Sequence, residues 1–567
     1  MSVNVQSTFC ATLVDEWALS GVVHAVICPG SRSTPLAIEL ARRLQVHVRL
    51  DERSAGFYAL GLAMVTAEPT IVCTTSGTAA PELHAAVVEA HHAHVPLIVC
   101  TADRPPELQG VGASQTIDQI GLFTTSTRWA AAPGVPEEHL APTWRPLARR
   151  ALAESLYGPQ GPGPVHLNLA FRIPLAGDRG QLPERGQAPP PAASIPPLTV
   201  STQNSALGNG SVTRGLIVAG ANATRDPARL LELATSLGWP VLADPRSGAR
   251  LPGTIAAADA IVQADIELPD IVVRLGSTPW ISAQLDAYLT KAAAKGARII
   301  SVDRWFQHID ANHVVTEFHH ADPDAWLEAA VAAATAKAAP PDQSWLNLWH
   351  NYEARGQSAI EETLLQHPIS EPHAIRTVAQ FAADTDASLF TSASMPIRDL
   401  ESFAPAHPTP PLAYSNRGAN GIDGIVSTAL GIAATGQRTI AVLGDLAFLH
   451  DVSGLVNLPD VPCTFVVLDN GGGGIFSFLP QAGQLDAEIF ELLFGTPPTS
   501  DIGAVAQGFG LKVSEVDTAA DLRTALADRA ESPQPSVIRV RVPNRTDNVA
   551  LHQAITQAVR LALAEPH

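Results

Sequence analysis

The residues whose types and spacing best fit chemistry lie between positions 443 and 480. Residues 439–443 (TIAVL) read as a buried strand ending in Gly444-Asp445. Residues 463–468 (CTFVVL) read as a second strand ending in Asp469-Asn470-Gly471-Gly472. Open α/β sheets bind ligands at the carboxyl ends of their strands. The Asp445 carboxylate, the Asn470 amide oxygen and a backbone carbonyl near Gly472 offer three oxygens to one hard cation. Mg²⁺ takes six oxygens and shares its shell with phosphate and water, so two diphosphate oxygens and one water would complete it. The glycines let the backbone come close to the phosphates. On this stretch alone, two ordinary strand-to-helix turns rich in Gly and Asp would look the same.

The elements around this pair follow one pattern. Phe9, Leu13 and Trp17 recur every four residues over 5–20, an apolar helical face ending near Gly21. Strands are expected at 23–28, 46–50, 70–74 and 97–101. Their tips carry residues 29–35 (PGSRSTP), Asp51-Glu52 and Ser76-Gly77-Thr78, and a helix is expected at 79–92. This alternation makes an α/β domain with a parallel sheet over 1–180. Residues 181–212, rich in Pro, Gly, Gln and Ser, read as a linker. A central α/β domain is expected over 213–340, its end marked by the 334–343 run ATAKAAPPDQ. A third covers 341–567 and closes with a strand at 537–542 and a helix from about Asn548.

With 567 residues, 46% of them hydrophobic and 16% charged, the chain is an ordinary multidomain globular protein. Its net charge of −19 argues against nonspecific binding to nucleic acid or anionic membranes, and it requires any anion pocket to gather arginines locally. The five cysteines (Cys10, Cys28, Cys73, Cys100, Cys463) form no Cys-x-x-Cys pair and read as buried thiols of a reducing compartment. With no leader-like start and no long apolar run, the expected location is cytoplasmic.

Longer motifs narrow the reading. These are CPGSRSTP (28–35), DERSAG (51–56), TSGT (75–78), ADRP (102–105), GASQ (112–115), SNRGANGIDG (415–424) and IFSFL (475–479). With Gly444-Asp445 and Asn470 they resemble the MenD family, the 2-succinyl-5-enolpyruvyl-6-hydroxy-3-cyclohexene-1-carboxylate synthases of menaquinone biosynthesis, within the thiamine-diphosphate enzymes. The resemblance implies three doubly wound α/β domains: pyrimidine-binding, central and diphosphate-binding. It implies thiamine diphosphate and Mg²⁺ (or Mn²⁺) as cofactors, with the metal on Asp445, Asn470 and the Gly472 backbone. It also implies a homo-oligomer, dimer or dimer of dimers, whose active site lies between subunits. The implied reaction decarboxylates 2-oxoglutarate and adds the remaining four-carbon unit to the ring alkene of isochorismate.

By the same resemblance, Glu52 is the catalytic carboxyl that hydrogen-bonds the aminopyrimidine ring nitrogen, and the small side chains after it admit a flat ring. Taken alone, Glu52 would as readily be a helix-start acid held by the helix dipole. Ile422, Ile475 and Phe476 are expected against the cofactor, and Leu479 on the substrate face. Ser31, Arg32, Arg104, Gln115, Ser394, Arg398 and Arg417 are the expected substrate-binding residues. Both substrates are dicarboxylates, and arginine grips carboxylates at two points.

Two departures stand out: residues 276–283 (GSTPWISA) carry no Lys or Arg where some members place one, and Ser114 sits where Asn can occur. No middle-domain site residue is therefore carried over. The run His91-His92-x-His94 reads as a helix-end cluster and not a metal site. Gly471–474 lacks the order of a dinucleotide loop. The nearest alternative is a related carboligase such as acetolactate synthase, whose pyruvate pocket would not need the arginines. A non-catalytic subunit of the same fold would not need Glu52, Asp445 and Asn470 together.

Overall fold

The computed structural model of the chain describes residues 3–186, 207, 214–276, 282–305, 308–336 and 341–565. Most of the expected linker at 181–212, part of the 334–343 boundary and positions 277–281 of the GSTPWISA run lie outside the described residues.

Three sheets carry the fold, and every strand pair in them is parallel. The first contains β1 (His24–Ile27), β2 (Gln45–Val48), β3 (Thr70–Thr74), β4 (Leu97–Asp103), β5 (Trp129–Ala131) and β6 (Pro164–Ala170), in the order β2-β1-β3-β4-β6-β5. The second contains β7 (Gly215–Ala219), β8 (Val241–Ala243), β9 (Ile271–Leu275), β10 (Arg298–Asp303) and β11 (Glu317–His320), in the order β11-β10-β9-β7-β8. The third contains β12 (Ser388–Thr391), β13 (Ala413–Tyr414), β14 (Thr439–Gly444), β15 (Cys463–Asp469), β16 (Lys512–Val516) and β17 (Ser536–Arg541), in the order β13-β12-β14-β15-β17-β16. The first and third sheets thus share one strand order. In each, the order reverses direction between its first and third strands, which opens a crevice at their carboxyl tips.

Central strands such as β3, β4 and β6 are buried along their whole length, as expected for a parallel sheet covered on both faces. The edge strand β2 (QVHV) is only partly buried and shorter than the run expected from its apolar residues. The helix Val5–Leu19 differs from expectation: residues 6–17 are all buried, so it is enclosed on every side and shows no single apolar face. Trp17 is fully buried, its Nε1 donating to the Ala148 carbonyl at 3.0 Å. The helix expected over 79–92 starts later, at His84, after two 3₁₀ turns around Pro81. The ring of Pro81 has no N–H to give. All five cysteines are free and buried. Among the described residues, no helix is long and apolar enough to cross a membrane.

The first and third domains meet along two helices, Glu52–Thr66 and Ile425–Ala433. A Cβ at Gly61 would lie 2.2 Å from the Thr428 carbonyl oxygen, and one at Gly431 would lie 2.2 Å from that of Tyr58. Gly61 thus serves this crossing, and Gly56 a second close approach, against Ala86.

Candidate active site

The geometry at the tips of β14 and β15 follows from their pairing. Gly444 lies opposite Leu468, so Asp445 and the 470–472 loop emerge side by side. Asp445 opens a short helix; its Oδ1 accepts the Leu446 N–H and its Oδ2 the Gly472 N–H, both at 2.7 Å. The same Gly472 N–H reaches Asn470 Oδ1 at 3.1 Å, so both side chains converge on one backbone group. Gly471 and Gly472 have φ of +75° and +133°, and a Cβ at Gly472 would stand 2.1 Å from the Gly495 carbonyl oxygen. Only glycine lets the chain pass there.

Asp445 is 1% exposed, and burial pushes its carboxyl up to about 6. A carboxylate so short of solvent gains from a cation. Carboxylate, amide and backbone oxygens are the donor set of a hard divalent ion. The three groups expected to hold a metal therefore fit one.

Ile475 and Phe476 follow in a 3₁₀ turn (Gly474–Phe478), with the Phe476 ring 5.4 Å from that of Phe494. Leu479 is 40% exposed, and Ile422 packs on the apolar core shared by the first and third domains.

A second cluster forms at the crevice of the first sheet. Arg32, after β1, is buried and donates from Nη1 to the Phe171 carbonyl at 2.7 Å; its Nε finds no partner among the described residues. Arg104, after β4, donates to Ser76 Oγ, and Ser76 Oγ in turn donates to the Gln115 carbonyl at 3.1 Å. The Gln115 side chain returns a bond to the Ser76 carbonyl at 2.9 Å, from a backbone with φ of +56°. Ser31 is exposed beside Arg32. Burial, and then the charge of Arg104, hold Arg32 below its ordinary value.

Glu52 begins its helix after the Asp51 cap, which accepts the Ser54 N–H at 3.0 Å. Burial, and then the neighbouring carboxylates Asp51 and Glu82, raise the Glu52 carboxyl. Among the described residues no hydrogen bond or ion pair joins Glu52 to Asp445 or Asn470 within the chain.

A third group belongs to the C-terminal domain. Ser394, before the helix Met395–Phe403, has φ +73° and ψ −133°, a conformation that costs a non-glycine residue about 1–3 kcal/mol. Its carbonyl accepts Arg398 Nη1 at 2.6 Å. Burial pulls Arg417 down to about 10, and the charges of Arg246 and Arg398 add to the effect. Arg417 also lines a cavity of about 670 Å³ between the three domains, with Arg246 and Arg225 from the central one.

Two supporting acids escaped the sequence reading. Glu89, 2% exposed on the helix His84–Ala93, accepts the N–H groups of Gly418 and Ala419 at 2.6 Å each and so fixes the Arg417 loop. Glu371 accepts Asn470 Nδ2 at 2.8 Å. No local signal marks either acid: Glu89 sits within an apolar helix, and Glu371 reads as the acid of a Ser-Glu-Pro helix start. His91 and His94 end their helix around Arg128, which donates to His91 Nδ1 at 2.8 Å, and His94 stacks on Trp305 of the central domain.

Three family models match the chain in order. Residues 8–122 match the family model "Thiamine pyrophosphate enzyme, N-terminal TPP binding domain", 197–391 the "Middle domain of thiamine pyrophosphate", and 403–540 the "C-terminal TPP binding domain". The chain is 39% identical to the 2-succinyl-5-enolpyruvyl-6-hydroxy-3-cyclohexene-1-carboxylate synthase of Chloroflexus aurantiacus, over 98% of this chain and 96% of the relative. It is 40% identical to that of Thermobifida fusca, over 99% and 100%. The enzyme of Bacillus velezensis is 36% identical over 97% of each. With all three thiamine pyrophosphate domains in order and relatives this similar from end to end, the chain belongs to the 2-succinyl-5-enolpyruvyl-6-hydroxy-3-cyclohexene-1-carboxylate synthase family.

Proposed function

We propose that this thiamine-diphosphate enzyme decarboxylates 2-oxoglutarate and joins the remaining four-carbon unit to isochorismate, making 2-succinyl-5-enolpyruvyl-6-hydroxy-3-cyclohexene-1-carboxylate for menaquinone. The C1–C2 bond of 2-oxoglutarate breaks and CO₂ leaves. A bond forms between that C2 and a ring alkene carbon of isochorismate, and a proton is taken up at the neighbouring ring carbon. When bound, the cofactor supplies the electron sink for the pair left by CO₂.

The observation that carries the reading is the convergence of Asp445 and Asn470 on the Gly472 N–H at adjacent strand tips. Asp445, Asn470 and the Gly472 carbonyl would hold Mg²⁺ or Mn²⁺ against the diphosphate. Glu52 would hold a proton at the aminopyrimidine ring nitrogen, a task suited to a carboxyl whose burial favours its protonated form. Arg32 and Arg104 on one side, and Arg398 and Arg417 on the other, would bind the substrate carboxylates together with Ser31, Gln115 and Ser394. Arg32 Nε and Arg417 Nε are buried donors without acceptors among the described residues, which supports that role. Ile422, Ile475, Phe476 and Leu479 would exclude water from the reacting carbons. Holding both substrates in one geometry supplies much of the advantage of such a site.

By the family resemblance, Glu52 and Asp445 of one site come from two different chains, which makes the working form a homodimer or a dimer of dimers. The enzyme would work in the cytoplasm. The test is incubation with thiamine diphosphate, Mg²⁺, 2-oxoglutarate and isochorismate, each omitted in turn, following CO₂ and product mass. Product formed without 2-oxoglutarate or without thiamine diphosphate would refute the reading. Shared sites are tested by mixing E52Q chains with D445A chains: each is inactive alone, and the mixture regains turnover only if the two residues come from different subunits.

A further inference from the structure

Glu371 is 2% exposed and stands behind Asn470, not among the groups that face a ligand. It opens the helix Glu371–Asp384, whose cap Ser370 accepts the His373 N–H. Asp399 and His552, from the helices Met395–Phe403 and Arg545–Ala564, complete the buried surroundings. Burial, and then the charge of Asp399, raise the Glu371 carboxyl. His552 is raised by Asp399, against the effect of its own burial. Burying an acid here is costly, and nothing in the reaction uses it directly.

The contact it makes is specific. Glu371 Oε1 accepts Asn470 Nδ2 at 2.8 Å, while Asn470 Oδ1 accepts the Gly472 N–H at 3.1 Å. An amide has two ends of nearly equal shape, and only the oxygen can bind a cation. Here each end is dictated. Turned over, the NH₂ would face the Gly472 N–H, a repulsive contact in place of a bond, and the oxygen would face Glu371 Oε1, which could meet it only by donating a proton of its own. Gly474 leaves room for the pair: a Cβ there would lie 2.6 Å from Asn470 Nδ2 and 3.7 Å from Glu371 Oε1.

We propose that Glu371 is a positioning residue whose carboxyl locks the Asn470 amide with its oxygen toward the cation shared with Asp445. The proposal rests on the reading of Asp445 and Asn470 as metal-holding groups. Groups that orient metal ligands in this way typically alter metal affinity by about 10–100-fold when lost.

The test measures Mn²⁺ affinity by electron paramagnetic resonance on the cofactor-stripped full-length protein, with thiamine diphosphate in excess. E371M keeps the volume and removes the acceptor, and it is expected to bind Mn²⁺ about 10–100-fold more weakly. Its melting temperature without metal should stay close to wild type, because the costly buried acid goes with the bond. E371Q keeps an acceptor oxygen and is expected to bind within about threefold of wild type. N470A should bind at least as weakly as E371M, and adding E371M to N470A should weaken it no further. E371M binding like wild type, while N470A fails to bind, would overturn the proposal. E371Q as weak as E371M would overturn it too, since charge and not the acceptor would then matter. Wild-type protein that binds no Mn²⁺, or N470A that binds it normally, would instead overturn the underlying metal assignment.

Discussion

Replacing Gly472 with alanine tests the diphosphate loop where its geometry is tightest. The new Cβ would meet the Gly495 carbonyl oxygen at 2.1 Å, over 1 Å inside ordinary contact, and that oxygen is held in place by the Gly473 N–H at 2.8 Å. The backbone φ of +133° adds a second penalty for any side chain. Strained φ costs about 1–3 kcal/mol and overpacking about 1–3 kcal/mol, so G472A carries about 2–6 kcal/mol of strain. The loop can shed that strain only by moving, and movement withdraws the Gly472 N–H from Asp445 and Asn470. If half of it is charged against the ligand-ready loop, thiamine diphosphate affinity at saturating Mg²⁺ falls about 5- to 150-fold. Titration calorimetry reads this directly, and scanning calorimetry of the same variant shows whether the fold survives. G471A is the internal control: its φ is +75°, but nothing lies within 4 Å of its Cβ, so its loss should be the smaller. G472A binding the cofactor within about threefold of wild type, or G471A proving worse, would refute this account of the loop.

Three further outcomes are expected. E52Q should bind thiamine diphosphate normally yet lose at least about 10²-fold in kcat, seen as binding by calorimetry without CO₂ release; near-normal turnover contradicts the role of Glu52. R398A should raise the KM for 2-oxoglutarate or isochorismate at least about tenfold, since a half-buried guanidinium bound to the Ser394 carbonyl is replaced by a methyl group. The third concerns pH. Asp451, fully buried and accepting the Ser427 N–H at 2.7 Å, is pushed up by burial from 3.8 to about 6. The stability it contributes is therefore complete below about pH 4 and lost as pH rises through about 6, up to about 3 kcal/mol. D451N should flatten that stretch of the stability curve and equal or exceed wild type at pH 7 in denaturant melts. A variant less stable than wild type at pH 7 but not at pH 4 would show that the carboxylate is favoured there.

The chemistry-bearing strand tips were legible because parallel central strands are unbroken apolar runs, and Gly-Asp or Asn-Gly at their ends interrupts them sharply. Asp445 and Asn470 could be paired from sequence for that reason, and the adjacency of β14 and β15 agrees with it. Glu371 and Glu89 were not legible, because their partners lie 99 and 329 residues away and a contact of that span leaves no local pattern. The small residues after Glu52 also have a neighbour that could not be read locally. Their spacing announces close approach, but the thing approached, a helix more than 350 residues downstream, is not written nearby. The enclosed helix Val5–Leu19 shows the same limit: polar residues such as Thr12 and Glu16 mimic a solvent face yet are buried, Glu16 by pairing with Arg145 and Arg149.

The glycine crossing between the helices Glu52–Thr66 and Ile425–Ala433 has a mechanical consequence. Main chain rests on main chain there, with no pliable side chains between them to re-pack when one helix slides. The first and third domains of a chain are thus keyed together as a single stiff beam, with Glu52 at one end. Any opening that admits substrates must come from elsewhere, and not from shear along that joint.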